Sequence, residues 1–268
     1  MPNTRDWVPG DKIQALVYGK SGVGKTFGAL SFPRPVVMDF DKGIATARNP
    51  VFVERYGIRD IEYEQFAEKK IAKSGVPLDH NAFDDACRYF DKWMEIPDEF
   101  DTWIIDSGTT LSQAAMNKAI VLLGGTTFKG LSKTHQHAKA TGLVHPRIQD
   151  YGSERSMVEQ FIQMVKDSDK NFLFLCHEKE IYEGDVPVGV APLLTGKSVE
   201  AVQLMFDEVW NLRVTGALNN KARKLMTDTD GIRAAKTRYG IPTDQPFDYD
   251  TIYAALKSIR QEQMEMNP

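Results

Sequence analysis

Five short, mostly apolar runs punctuate the chain: "IQALVYG" (13–19), "PVVMDFD" (35–41), "DTWIID" (101–106), "NFLFLCH" (171–177) and "DEVWNLRV" (207–214). Four of them are nearly unbroken and end in a polar or small residue. That pattern fits strands buried on both faces of a parallel sheet, with chemistry gathered at their carboxyl ends. Helix-period segments starting from Asn81, Thr109 and Ser153 lie between the runs. In the third, Met157, Phe161, Ile162, Met164 and Val165 fall on one face, which is predicted to cover the sheet. Residues 216–242 predict short strands broken by turns at Asn219-Asn220 and Asp230-Gly231, and a last helix follows over "DYDTIYAALKSIRQEQ". This alternation predicts an α/β fold: a mostly parallel central sheet flanked by helices, in a single domain of 1–268. Residues 1–12 read as an N-terminal extension, 124–152 and 178–197 as mobile loops, and 243–268 as the C-terminal helical region.

Composition narrows the picture without changing it. Of 268 residues, 42% are hydrophobic and 26% charged, which excludes a mainly disordered or fibrous chain. No apolar run approaches the length of a membrane span, and "MPNTRDWVPG" has no signal-peptide core, so a cytoplasmic protein with no membrane partner is expected. Cys87 and Cys176 are too few for a disulfide framework and are expected to be reduced thiols. The net charge of −4 gives no general attraction to nucleic acid. Its distribution does change the picture: from Gly108 to Gln149 there is no Asp or Glu, while Lys118, Lys129, Lys133, Lys139 and Arg147 supply positive charge. His135 and His137 lack further ligands nearby, so no metal site is expected from them.

The first apolar run leads into Gly19-Lys20-Ser21-Gly22-Val23-Gly24-Lys25-Thr26, which fits G-x-x-x-x-G-K-[ST]. Glycines let the backbone wrap closely enough for successive N–H groups to face phosphates. Residues 19–26 and the adjoining Phe27 are therefore the candidate nucleotide cradle, with Lys25 reaching the β- and γ-phosphates and Thr26 ligating Mg²⁺. The second magnesium ligand is Asp106, at the end of "TWIID". Ser107 follows it where AAA+ ATPases carry a catalytic Glu, so the general base must lie elsewhere. "VVMDFDKG" offers Asp41, with Asp39 projecting to the same side as a supporting group and Glu178 as the alternative base. No Asn-Lys-x-Asp is present to read guanine, since "MNKAI" has Ile120 at the Asp position; adenine is thus expected by exclusion.

Together these motifs resemble the RecA-like P-loop ATPase core, and within it the phage-type family that includes RecA-like single-strand annealing proteins. The resemblance runs from about residue 13 to 242. It implies that Asp41 acts as catalytic carboxylate, where RecA has Glu, and that His177 in "FLFLCHEKE" senses the γ-phosphate, where Gln or Asn is usual. Both departures imply slow hydrolysis. "AAKTRYGIP" is similar to the Lys-x-Arg-x-Gly segment of DnaB-type helicases and RadA, which implies that Lys236 and Arg238 reach the γ-phosphate of a neighbouring subunit. The resemblance further implies ATP and Mg²⁺ as cofactors, a homo-oligomeric ring or filament, and single-stranded DNA as the substrate for annealing or strand pairing. A single-strand-binding protein would be a partner, and the location would be the host cytoplasm if the protein is phage-encoded. The DNA contacts would come from the acid-free stretch through Phe128, Lys129, Lys133, Lys139 and Arg147. The alternative reading of the same sequence is a nucleotide-switched protein-interaction ATPase in which DNA plays no part.

Overall fold

The computed structural model describes residues 10–68, 81–124, 146, 148–195, 198–216 and 222–266. The expected strands form one sheet: β1 (Gln14–Gly19), β2 (Pro35–Asp39), β4 (Thr102–Asp106), β5 (Asn171–Glu183) and β7 (Glu208–Thr215). They are joined by β3 (Glu62–Gln65), β6 (Val186–Pro192), β8 (Ala222–Met226) and β9 (Lys236–Thr237). The order is β3-β2-β4-β5-β1-β7-β8, with β6 pairing β5 and β9 pairing β7. The pairs along the path from β3 to β7 are all parallel, and β6, β8 and β9 pair antiparallel. The expected α/β architecture, a mostly parallel sheet flanked by helices, is what the chain adopts.

Two-sided burial explains the apolar runs. Along β1, Leu16 and Tyr18 enter one core and Ala15 and Val17 the other. The first core lies beneath α3 (Ala82–Met94), α4 (Gly108–Gly124), α5 (Ile148–Lys166) and α6 (Ser198–Met205), and is rich in rings. Trp103 is fully buried there, its ring centroid 4.8 Å from that of Phe100 and 5.3 Å from that of Phe90. The second core lies beneath α1 (Lys25–Ala29), α2 (Pro50–Tyr56) and α7 (Tyr249–Met266), around Phe32, Phe52, Trp210 and Phe247. Among the described residues no helix is long and apolar enough to cross a membrane. Cys176 is buried and Cys87 partly buried, both as free thiols.

Gly28 shows how tightly the second core is closed. A Cβ there would lie 2.3 Å from Phe247 Cδ1 and 2.4 Å from the Phe247 carbonyl oxygen. The backbone oxygen cannot swing aside as a side chain can, so Gly28→Ala should destabilise the protein by about 1–3 kcal/mol. Urea unfolding would measure this, and an unchanged midpoint would disprove the close approach.

Three expectations change. Within the expected loop of 178–197, residues 178–192 form a hairpin: β5 runs on to Glu183 and returns as β6, with Glu178 opposite Pro192 and Glu183 opposite Val186, while 196 and 197 lie outside the described residues. The outer half of the hairpin stands in solvent and only the end of β6, with Val190 and Ala191, is buried, so no regular alternation of buried and exposed positions marks the two strands. Helix α5 begins at Ile148 rather than at Ser153, and its buried face is Glu154, Val158, Phe161, Ile162 and Val165, whereas Met164 is exposed. A carboxylate within that face explains the difference. Glu154 accepts hydrogen bonds from Ser112 (2.6 Å) and Ser198 (2.9 Å), which lets a polar residue occupy a position that apolar periodicity assigns elsewhere. Finally, β3, with all four residues exposed, is an edge strand guarded by charge, and its sequence "EYEQ" carries no strand signal.

Candidate functional site

The strand order gathers the predicted chemistry at one edge of the sheet. β5 lies between β1 and β4, so His177 pairs in register with Gly19, and Asp106 pairs with Leu175 on one side and Asp39 on the other. The turn after β1 then folds over the carboxyl ends of these strands. Gly22 (φ 74°) and Gly24 (φ 103°) take left-handed conformations that allow the turn, and the β7 backbone closes in behind it. A Cβ on Gly19 would meet the Leu212 carbonyl oxygen at 2.4 Å.

In front of the turn is a cavity of about 680 Å³ lined by Ser21, Gly22, Gly24, Lys25, Thr26 and Phe27, together with Asp41, Asp106 and His177. Of the remaining predicted cradle residues, Gly19 and Lys20 act through their carbonyls, which accept hydrogen bonds from the Lys25 ammonium at 2.8 and 3.0 Å. Val23 is buried in the core. Burial lowers the pKa of Lys25 from its ordinary value, and nearby Asp106 opposes that shift. Phe27 packs edge-on against Phe52 at 5.3 Å, making it a wall of the cavity rather than a polar ligand.

Thr26 donates a hydrogen bond to Asp106 Oδ2 at 2.6 Å. Burial pushes the pKa of Asp106 up to about 6 despite that bond, with Asp41 and Asp39 adding to the rise. Two hard oxygens side by side, one on a buried carboxylate short of positive charge, fit a hard divalent cation that keeps most of its waters. Among the described residues no group of three or more His, Cys, Asp or Glu side chains could hold a metal. Gly43 completes the site. A Cβ at that position would lie 2.1 Å from Asp106 Oδ2 and 3.3 Å from Thr26 Oγ1, so the short helical turn starting there can approach only as glycine.

Asp41 sits at the centre of a second network. Its carboxylate accepts hydrogen bonds from Ser107 (2.7 Å), His177 Nε2 (2.9 Å) and Thr110. Burial alone would raise its pKa, but the bonds from Thr110, Ser107 and His177 outweigh that effect and hold it below the ordinary carboxylate value. The contact also ties His177 to the carboxylate proposed from the sequence as the catalytic group. Asp39 does not project beside Asp41. β2 ends at Asp39, whose carboxylate accepts from the Gly43 N–H (2.8 Å) and Gln65 Nε2 (3.1 Å), a structural role at the turn. Glu178 accepts from Asn211 Nδ2 at 3.3 Å, from β7 on the far side of β1.

Lys236 and Arg238 are not part of this cavity. β9 pairs Lys236 with Val209 and Thr237 with Glu208, and Glu208 in turn pairs with Ala15 near the start of β1. Four residues of strand, about 13 Å, separate that level from Gly19. Arg238 pairs with Asp207 at 2.7 Å. Phe128, Lys129, Lys133, Lys139 and Arg147 lie outside the described residues.

Several site residues had no signal in the sequence. Arg223, Arg55, Asp248 and Phe247 line the cavity from β8, α2 and the approach to α7. Arg223, Phe247 and Asp248 reach it because the chain beyond β7 folds back over the turn. Ser107 and Thr110 are ordinary helix-start residues until the fold brings Asp41 against them.

A glycine turn joining strand to helix, a buried Lys25 within it and a Thr26–Asp106 pair at the adjoining strand end define a nucleotide-binding P-loop ATPase domain. The chain belongs to the AAA domain family, which it matches over residues 11–239. Among solved structures it is similar to a KaiC-like protein of the hyperthermophilic archaeon Pyrococcus horikoshii OT3, at 12% identity and a TM-score of 0.41, over 82% of this chain and 79% of that one. No curated protein matches.

Proposed function

We propose that this domain is a RecA-like ATPase of the phage type that binds ATP with Mg²⁺, assembles with further copies of itself and uses the nucleotide state to control single-stranded DNA for annealing or strand pairing. The observation that carries the reading is the Asp41–His177 contact. It joins the carboxylate network at the phosphate end of the cavity to the root of the β5–β6 hairpin. The root is itself clamped: the His177 N–H donates to Thr109 Oγ1 (3.0 Å), Thr109 Oγ1 donates to the Leu193 carbonyl (2.8 Å), and the Leu193 N–H donates to the His177 carbonyl (2.7 Å). A γ-phosphate that draws His177 away from Asp41 would shift both strands of the hairpin together. In this reading Thr26 and Asp106 hold the Mg²⁺, Lys25 neutralises the phosphates, and Ser107 and Thr110 keep Asp41 ionised.

The DNA assignment draws on the acid-free stretch of 108–149. Fluorescence anisotropy with labelled single strands, with and without ATP and Mg²⁺, tests it. Expected is binding that ATP tightens at least about tenfold and that salt weakens. Affinity no better than millimolar, and blind to nucleotide, would sink the DNA role. One observation favours a second reading, a nucleotide-switched protein-interaction ATPase. The hairpin exposes Ile181, Tyr182, Val186 and Val188 among Glu180, Glu183 and Asp185, a surface suited to a protein rather than to phosphates. In that case neutralising Lys129, Lys133 and Lys139 would leave function intact.

Shared sites make a separate prediction. Lys236 and Arg238 lie away from their own cavity, so Arg238→Ala should leave ATP binding unchanged and cut hydrolysis by about 10³-fold if it serves a neighbour. Mixing Arg238→Ala with Lys25→Ala protein should restore part of the turnover, as measured by phosphate release. A complete lack of rescue would count against intersubunit sites.

A further inference from the structure

We infer that Arg223 is a phosphate-binding residue of the nucleotide cavity, supplied in cis by β8; the inference rests on the ATP-binding reading of that cavity. The residue lies directly over the glycine turn: a Cβ on Gly24 would sit 3.0 Å from Arg223 Cδ and 3.2 Å from its Nε. It lines the same cavity as Lys25, Thr26 and Asp106. Among the described residues no carboxylate pairs with it, whereas Arg55, the other arginine of the cavity, is paired with Asp248 at 2.8 Å. An exposed guanidinium held beside a turn of backbone N–H groups, with its charge uncommitted, suits a polyphosphate. Its planar donors match phosphate oxygens in a way a lysine cannot.

The backbone that carries Arg223 is fixed rather than free. β8 pairs Arg223 with Val214 of β7, and the strand is tied on its other side to the approach to α7. Leu225 N–H donates to the Gln245 carbonyl and Asp244 N–H to the Leu225 carbonyl, both at 2.8 Å. The guanidinium is thus presented over the turn from a strand braced on both edges, which limits the ordering cost of binding. With Lys25 beneath the phosphates and Arg223 above them, the cavity supplies cations from two elements far apart in sequence. The neutral nucleoside would gain nothing from Arg223.

The test is equilibrium binding of adenosine, AMP, ADP and ATP to the wild-type chain and to Arg223→Ala, Arg223→Gln and Arg223→Lys, with circular dichroism as the folding control. Expected is a loss of about tenfold or more for ADP and ATP in the Ala and Gln variants, a change under about twofold for adenosine, and partial recovery in the Lys variant. The difference between wild type and Arg223→Ala should shrink as salt rises from about 0.05 M to 0.5 M. Unchanged ATP and ADP affinities in folded Arg223→Gln overturn the inference, as does an adenosine loss equal to that for ATP, which would make Arg223 a base contact. A wild-type chain that binds no ATP would instead overturn the reading of the cavity, and Arg223 with it.

Discussion

Lys25→Ala should lower ATP turnover by at least about 100-fold and abolish every nucleotide-dependent behaviour of the protein while leaving it folded. The magnitude follows from what a single preorganised donor facing developing phosphate charge contributes in a site shielded from water. The structure adds the reason folding survives. Lys25 is nearly buried, and its two hydrogen bonds go to carbonyls of its own turn, Gly19 and Lys20, which water entering the space vacated by the side chain can hydrate. The desolvation that lowers the pKa of Lys25 is a cost the alanine variant no longer carries. Phosphate-release kinetics and a thermal melt together make the measurement. Turnover within tenfold of wild type would mean that the cavity is not where the chemistry occurs.

The second large effect has opposite signs in stability and activity. In the folded chain the pKa of Asp106 is pushed up to about 6 from an ordinary value of 3.8. A raised carboxylate pKa means that the folded state prefers the protonated form. The stability contributed is present below about pH 4 and is lost as the pH rises through 6, so at neutral pH the ionised group costs on the order of 3 kcal/mol. Asp106→Asn removes the charge but keeps an oxygen for the Thr26 hydroxyl. In EDTA at pH 7.5 the variant should therefore melt several degrees above wild type, with the advantage shrinking toward pH 5 and absent below about pH 4. It should also lose magnesium-dependent ATP hydrolysis. Melting curves across this pH range, with and without ATP and Mg²⁺, give both readouts. A variant less stable than wild type at pH 7.5 would show that Asp106 holds the sheet edge together instead of straining it.

The parts of this structure legible in the sequence are those where one residue type has one physical use. Gly22 and Gly24 had to take left-handed turns, Lys25 and Thr26 followed at fixed spacing, and the doubly buried strands announced themselves as apolar runs. Asp106 was readable because it closes such a run, and its hydrogen bond to Thr26 is the contact expected of a shared metal site. Legibility failed where a role depends on tertiary placement. Asp39 and Asp41 look equivalent by alternation, yet β2 ends between them, so one carboxylate holds a turn and the other faces His177. Gly43 resembles any loop glycine until Asp106 arrives beside it. Arg223 comes from a hairpin whose path over the turn no local pattern encodes, and Glu154 took a core position that only its serine partners make tolerable.

β5 is both the centre of the sheet and an arm that leaves it. Its first residues are fixed between β4 and β1, whereas beyond His177 it pairs only with β6 among the described strands. At about 3.3 Å per residue, Glu183 stands roughly 20 Å beyond His177, so a tilt of about 10° at that pivot carries the tip some 3–4 Å. A displacement at the cavity too small to disturb the core is thereby magnified at the far end, as with a pointer on a pivoted balance. In the switch proposed above, a partner at the tip would register the loss of a single phosphate as a movement the width of an atom.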